Sequence, residues 1–260
     1  MNFTYLPQAY NTKSANEVVP IVINLLNPKS VVDVGCGIGT WLSVFKDKGI
    51  NDILGIDGEH VNKEILSKHI DTDEFVSHDL TKPLKLSRKF DLVISLEVAE
   101  HLPEEFADVF IESLISLGDC ILFSAAVPFQ HGDGHINLKW PSYWQDKFKK
   151  HNFEFYDCLR ESIWFNEEVE WWHRQNIFLV ARKNIFLEAS AANKVLDLIH
   201  PKHYEIKSKQ LEEALEDLQK FWRGNIPLSS FIKLFLKFTA HKLSHLMPKL
   251  KKDKKSKSQT

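Results

Sequence analysis

The chain has 260 residues, 43% of them hydrophobic and 26% charged, enough for one α/β domain and a modest appendage. Three cysteines without CxxC spacing, Cys36, Cys120 and Cys158, argue against a disulfide framework or a zinc site and suit a reducing cytoplasm. No leader-like segment and no apolar run near the roughly 20 residues of a bilayer span is visible, so a cytoplasmic protein is expected. The net charge of −2 conceals an asymmetry: residues 233–260 carry nine lysines against Asp253, leaving 24 basic and 34 acidic side chains elsewhere, a net of −10. An acidic body excludes general nucleic-acid binding by the main domain.

A first helix is expected from Ser14, which forms a capping box with Glu17, to about Leu26 before Pro28. Ser30 to Asp33 is a β-branched run broken by Gly35, a buried strand entering a tight turn. Trp41 to Lys48 has helical spacing. Asp52 to Asp57 reads as the second strand, Val61 to Lys68 as a helix, Glu74 to His78 as a weaker third strand and Phe90 to Ser95 as a fourth. A helix opened by Pro103 follows, then a fifth strand from Cys120 to Ala126. Past Pro141 another helix leads to two further strand candidates, Phe153 to Ile163 and Asn176 to Arg182, joined only by a loop, so the closing pair is open to antiparallel pairing. Alternation of strands and helices at this spacing predicts right-handed βαβ units and a parallel sheet.

The main domain is expected over residues 1–183. Residues 184–248 read as a helical extension, with helices over Leu187–Ile199 and Lys207–Phe221 and an amphipathic stripe from Phe231 to Leu250. Residues 249–260 form a polar, lysine-rich tail expected to be disordered.

Chemistry concentrates where the first strand meets its helix. VVDVGCGIGT, residues 31–40, places Gly35, Gly37 and Gly39 in alternation, GxGxG rather than the GxGxxG of dinucleotide sites. A carboxylate, Asp33, leads the turn, badly placed for a phosphate and well placed for an amino-bearing ligand. Asp57 closes the second strand 20 residues after Gly37, where an acid accepts hydrogen bonds from ribose hydroxyls. Asp79 ends the third strand, within reach of an adenine amino group. Solvated acids beside glycine turns are the bland alternative, but three acids at successive strand ends favour an adenosine cofactor.

Together with GID at 55–57 and DLVISLEVAEHL at 91–102, this turn resembles the signature segments of class I S-adenosylmethionine-dependent methyltransferases over roughly residues 28–183. The resemblance implies a Rossmann-like doubly wound α/β fold, with a seven-stranded, mostly parallel sheet whose last strand is antiparallel. It implies S-adenosylmethionine as cofactor, with Gly35 and Gly37 under its methionine part and Asp33 near its amino group. Asp57 would then hold the ribose, Asp79 and Leu80 the adenine, and Glu97 would line the active site.

A hydroxyl acceptor needs a base. His135, in the loop PFQHGDGHIN at 128–137, is the preferred one, with His101 and His131 as the other catalytic candidates. A loop histidine bonding the backbone is the plain alternative for His135, and an orienting role for His101. His131, Asp133 and His135 have spacing that permits a divalent metal without enforcing it, and no metal is expected. KWPSYW at 139–144 and EWWHRQN at 170–176 resemble a branch of these enzymes associated with bacterial surface-polysaccharide and sugar modification. Trp140, Tyr143 and Trp144 offer flat faces for a sugar, as do Trp171 and Trp172, and Arg174 offers a partner for an acceptor phosphate or carboxylate. Core packing is the alternative for several of these aromatics.

The expected activity is methyl transfer to a hydroxyl or phosphate-type oxygen of a small-molecule or glycan precursor in surface-polysaccharide biosynthesis. Methylation of a lipid-soluble quinone precursor, or cofactor binding without catalysis, are the rivals. Residues 228–260 would attach the protein weakly to the inner membrane face. The acceptor, the methylated position and the oligomeric state are left open.

Overall fold

A computed structural model describes residues 11–130, 132–183 and 197–223. Helix α1 (Lys13–Leu26) leads into strand β1 (Ser30–Val34), then α2 (Thr40–Asp47), β2 (Asp52–Asp57), α3 (Lys63–Leu66), β3 (Phe75–Ser77) and β4 (Leu92–Leu96). There follow α4 (Ala107–Leu117), β5 (Cys120–Ser124), α5 (Pro141–Lys149), β6 (Phe153–Tyr156), α6 (Arg160–Ile163), α7 (Trp171–Asn176) and β7 (Phe178–Arg182). A last helix, α8, spans Pro201–Trp222.

The strands form one seven-stranded sheet in the order β3-β2-β1-β4-β5-β7-β6. The first five strands in this order are parallel neighbours, while β7 enters antiparallel between β5 and β6. This is the Rossmann-like doubly wound fold with a reversed last strand. Both faces are covered, so β1 reads as a nearly continuous apolar run whose alternate residues feed two cores. Val32 and Val34 pack with α4 and α5 (Phe110, Leu114, Trp144, Phe148), whereas Val31 packs with α1 and α2 (Val18, Val22, Leu42, Phe45). The chain leaves β1 in one direction toward β2 and β3 and returns on the other side at β4. That reversal opens a crevice beyond the carboxyl ends of β1 and β4, the place where such sheets bind ligands.

Several expectations change in detail. The capping box at Ser14 is absent: α1 starts at Lys13 with Thr12 before it, without a side-chain cap. The two side chains serve tertiary contacts instead, Ser14 Oγ accepting the Glu170 amide at 3.0 Å and Glu17 accepting Asn166 Nδ2 at 2.7 Å. The strand expected from Phe153 to Ile163 stops at Tyr156. Beyond it Arg160 turns back in α6 to form a buried ion pair with Asp157, its Nε donating to Oδ1 at 2.9 Å and its Nη2 to Oδ2 at 2.6 Å. The helix expected over Val61–Lys68 shrinks to Lys63–Leu66, capped by Asn62, whose side chain accepts the amides of Glu64 and Ile65.

The first compact unit runs to Tyr204, not to Lys183. Residues 197–204 pack against it: Asp197 accepts the amide and hydroxyl of Ser142 at the start of α5, and Gln175 Oε1 accepts the His200 amide at 2.8 Å. A second unit begins at Glu205. Most of the helix expected over Leu187–Ile199, the stripe at Phe231–Leu250 and the tail at 249–260 lie outside the described residues. Among the described residues no helix is long and apolar enough to cross a membrane.

Candidate active site

The crevice at the carboxyl edge of β1, β2 and β4 is a cleft of about 1080 Å³. Its floor is the glycine turn, in which Gly35, Gly37 and Gly39 have φ values of +89°, +54° and +82°. Such backbone is cheap only for glycine. At Gly35 a second reason applies, because a Cβ would run into the Val98 side chain, which follows β4. The missing side chain therefore makes room for the protein's own wall as well as for a ligand.

Asp33 ends up buried, 3% exposed, and burial, with the charge of nearby Asp57 behind it, holds its carboxyl well above the usual carboxylate range. A cationic group placed against it would relieve that cost. Asp57 closes β2 and accepts the Gly37 amide at 2.7 Å and the Gly58 amide at 2.6 Å, with His60 Nε2 at 3.6 Å. Burial raises its pKa, and the two amides and His60 pull the other way. Asp57 thus ties the glycine turn to the end of β2. Asp79 and Leu80 line the same cleft further along. Asp79 is exposed and turned partly inward on its own loop, accepting the Thr81 amide and hydroxyl at 3.0 and 2.7 Å, with Lys82 Nζ at 3.3 Å. These contacts lower its pKa.

Across the cleft, Glu97 follows β4 with φ +55°, a left-handed conformation uncommon for a glutamate. Gln130 Nε2 donates to its Oε2 at 2.6 Å and Asn176 Nδ2 to its Oε1 at 3.3 Å, while Asn176 also reaches Gln130 Oε1 at 2.9 Å. Two buried amides from distant parts of the chain so fix one carboxylate. Burial raises the Glu97 pKa and the bonds from Ser124, Asn176 and Gln130 oppose it.

Beside Glu97 stand Glu100, His101 and His135. Amides of Ile136 and Asn137 donate to the Glu100 carbonyl at 2.9 and 3.0 Å, which pins the loop after β5 onto the segment after β4. His135 Nδ1 lies 2.8 Å from the Gln130 carbonyl, so Nδ1 carries the proton and Nε2 keeps a lone pair. That Nε2 lies 4.0 Å from Glu100 Oε1, and the His135 ring meets the His101 ring edge-on at 4.9 Å. The Glu100 carboxylate is fully buried; burial, with Glu97 adding to it, pushes its pKa far up against the opposing pull of the Glu100 and Ala126 backbone amides. Burial and neighbouring His135 lower the His101 pKa to about 4. One ligand atom from each of these three residues fits within 4.8 Å, a spacing able to hold a divalent cation. The set differs from the sequence-based one: His135 is grouped with Glu100 and His101 instead of Asp133, and His131 lies outside the described residues.

The other wall of the cleft is aromatic, formed by Trp41 of α2 and by Trp171, Trp172 and His173 of α7. Of the residues expected to hold the acceptor, Trp171 and Trp172 line this wall, and Trp140, Tyr143, Trp144 and Arg174 do not. Trp144 is 1% exposed and packs edge-on against Phe123, so it is core and has no free face. Tyr143 sits outside on α5, its hydroxyl donating to Glu104 at 3.3 Å with Lys139 and Lys147 over its ring. Trp140 precedes α5 and is absent from the cleft lining, as is Arg174, whose Nη1 donates to the Trp164 carbonyl at 3.4 Å. Gln130 and Asn176 carried no sequence signal, since their importance comes only from where β5 and β7 bring them.

Comparison with known proteins fits this geometry. Residues 10–118 match a family model described as a methyltransferase domain. Over 131 residues the chain is 25% identical to a mitochondrial ubiquinone biosynthesis O-methyltransferase of Dictyostelium discoideum, an alignment covering 44% of this chain and 40% of that relative. The chain thus spans about two-fifths of the length of the curated relative it matches. Among solved structures, Streptomyces venezuelae DesVI superposes with a TM-score of 0.52 at 14% identity, covering 65% of this chain and 92% of that one. The sugar N-methyltransferase KedS8 from Streptoalloteichus also superposes at 0.52, with 13% identity and coverage of 68% and 90%. Likeness at such low identity speaks for the fold alone. Residues 10–118 thus carry a match to a methyltransferase domain, and the sheet has the fold that goes with it.

Proposed function

We propose that this protein transfers the methyl group of S-adenosylmethionine to a hydroxyl oxygen of a small-molecule or glycan precursor in bacterial surface-polysaccharide biosynthesis, at the cytoplasmic side of the membrane. The observation that carries this reading is the meeting, in one cleft, of the Asp33–Asp57 end with His101 and His135, behind which Glu100 is buried. In this reading Asp33 meets the cofactor's ammonium group, Asp57 its ribose, and Asp79 with Leu80 its adenine, all four lining the cleft. The transferred carbon then lies between its sulfur and an acceptor oxygen; the S–C bond breaks as the O–C bond forms, and S-adenosylhomocysteine leaves. Holding these atoms in line supplies most of the acceleration. Trp41, Trp171 and Trp172 supply faces against which a sugar or another ring can lie.

Fixed acidic groups around the cleft, among them Glu97 and Glu170, favour a hydroxyl over a phosphate-type oxygen. The hydroxyl proton passes to His135 Nε2, the lone pair facing the cluster. The buried Glu100 carboxylate, grouped with His101 and His135, supports a second chemistry at the same place. A divalent cation held by Glu100, His101 and His135 would bind the acceptor oxygen and lower its pKa. The curated relative, named for ubiquinone biosynthesis, favours a quinone precursor as the alternative acceptor, which the same aromatic wall would take.

Incubating the full chain with methyl-labelled S-adenosylmethionine and a panel of nucleotide sugars, lipid-linked sugars, quinone precursors and envelope extracts tests the reading. Label in a glycan fraction is the expected result; label only in the quinone precursors would replace it. Label in neither, with S-adenosylhomocysteine bound in calorimetry, would leave a cofactor-binding protein without this activity. Loss of turnover on chelation and its return with magnesium or manganese distinguishes the cation chemistry from His135 acting as base alone.

A further inference from the structure

The helix α8 carries an unexplained surface. Tyr204, Leu211, Leu215, Leu218 and Trp222 are 69%, 61%, 49%, 53% and 78% exposed. Their spacing of seven, four, three and four residues keeps them, with Ser208, on one narrow stripe, the alternating three- and four-residue step of a coiled-coil seam. From Lys209 to Lys220 every described residue of the helix is exposed, so Leu211, Leu215 and Leu218 have no cover among the described residues. The charged side chains that pair within the helix, Lys209 with Glu213 and Lys220 with Glu216, lie on the opposite, outer face.

We propose that α8 joins a second copy of this chain as a parallel two-stranded coiled coil over Tyr204–Trp222. The flanks of the stripe select the partner and its direction. One flank carries Lys207 and Ala214, and the other carries Glu205, Glu212 and Gln219. In parallel register Lys207 of each helix faces Glu212 of the partner, so two attractive pairs form per dimer. In antiparallel register the acidic flanks meet, and Glu212 faces its own copy. A pair of identical helices meeting about a two-fold axis also closes the assembly and leaves no seam exposed.

Sedimentation velocity and light scattering on the full chain, over a range of concentrations, test this. The expected wild-type species is a dimer. Leu215→Glu, on the exposed stripe, should weaken it by at least about a hundredfold. Calorimetric binding of S-adenosylhomocysteine by the same variant should be unchanged, which shows that the protein remains folded. Lys207→Glu and Glu212→Lys should each weaken the dimer about two- to fivefold, and the double variant should restore it. A monomeric wild type would overturn the proposal, as would a dimer indifferent to both Leu211→Glu and Leu215→Glu. An antiparallel dimer would show itself by failure of the charge-swap rescue, and it too would overturn the proposal.

Discussion

At the scale of single residues, the glycine turn is governed by two side chains that it does not contain. Val98 occupies the space a Cβ at Gly35 would need, and the backbone there is left-handed. Gly35→Ala should therefore cost about 1–3 kcal/mol in urea unfolding. Val98→Ala in the same chain should return part of it, which strain from φ alone would not allow. Asp57 holds the turn from the other side through the Gly37 amide. Asp33 gives a dependence on pH. Its folded pKa stands well above the unfolded value because of burial and Asp57. The unliganded protein therefore loses stability as pH rises through that raised value, since the folded state must then hold an unrelieved charge. In the proposed reaction the cofactor's ammonium would relieve it. The thermal shift produced by S-adenosylhomocysteine should grow as pH rises through that raised value, and Asp33→Asn should flatten much of that slope. The positions of Asp33 and Asp57 were legible in the sequence because a strand end fixes where its last side chain goes. Trp144 was not legible, because an aromatic at helical spacing looks the same whether the face it occupies meets a sugar or the ring of Phe123.

At the scale of elements, the sheet could be read from the alternation of β-branched runs with helical spacing, and β2 falls on the expected residues, Asp52–Asp57. Short helices were not readable, because fewer than two turns carry too little periodicity. Both α6 and α7 owe their existence to tertiary contacts. Arg160 in α6 is 2% exposed, bonds Asp157 through two nitrogens and donates Nη1 to the Gln175 carbonyl at 3.1 Å, so it fastens α6 to α7. Removing one partner leaves a buried charge without its counterion. Arg160→Ala should cost about 3–5 kcal/mol in chemical denaturation. Asp157→Ala and Arg160→Ala combined should cost less than the sum of the two single losses. The Ser14–Glu17 box failed for a similar reason: a capping sequence has competitors, and here Glu170 and Asn166 claimed both side chains.

At the scale of the whole molecule, the sheet-forming domain does not end with its last strand. Asp197, fourteen residues beyond Lys183, caps α5 through Ser142. Asp197→Ala should lower stability by about 1 kcal/mol, read as a fall in melting temperature. A composition shift at Asn184 suggested a boundary there, but composition does not record that a later polar side chain returns to a helix start. The basic stretch at 228–260 lies outside the described residues, so membrane attachment stands as a proposal from charge pattern. Flotation with anionic liposomes should retain the full chain and lose it when residues 228–260 are removed.

The central strand sets the order in which the protein can be built. Asp33 on β1 pairs with Gly55 on one side and with Ile94 on the other, the second partner lying 61 residues away in sequence. A nascent chain can lay β2 beside β1 early, but Glu97 and Val98 cannot reach the glycine turn until β4 is in place. Gln130 and Asn176, which hold Glu97, come later still. Contacts this far apart in sequence carry a closure cost before they return any stability, and they slow folding accordingly. The cleft is thus among the last parts of the fold to be completed, and a ligand in it can be held only by a chain that has already formed most of its sheet.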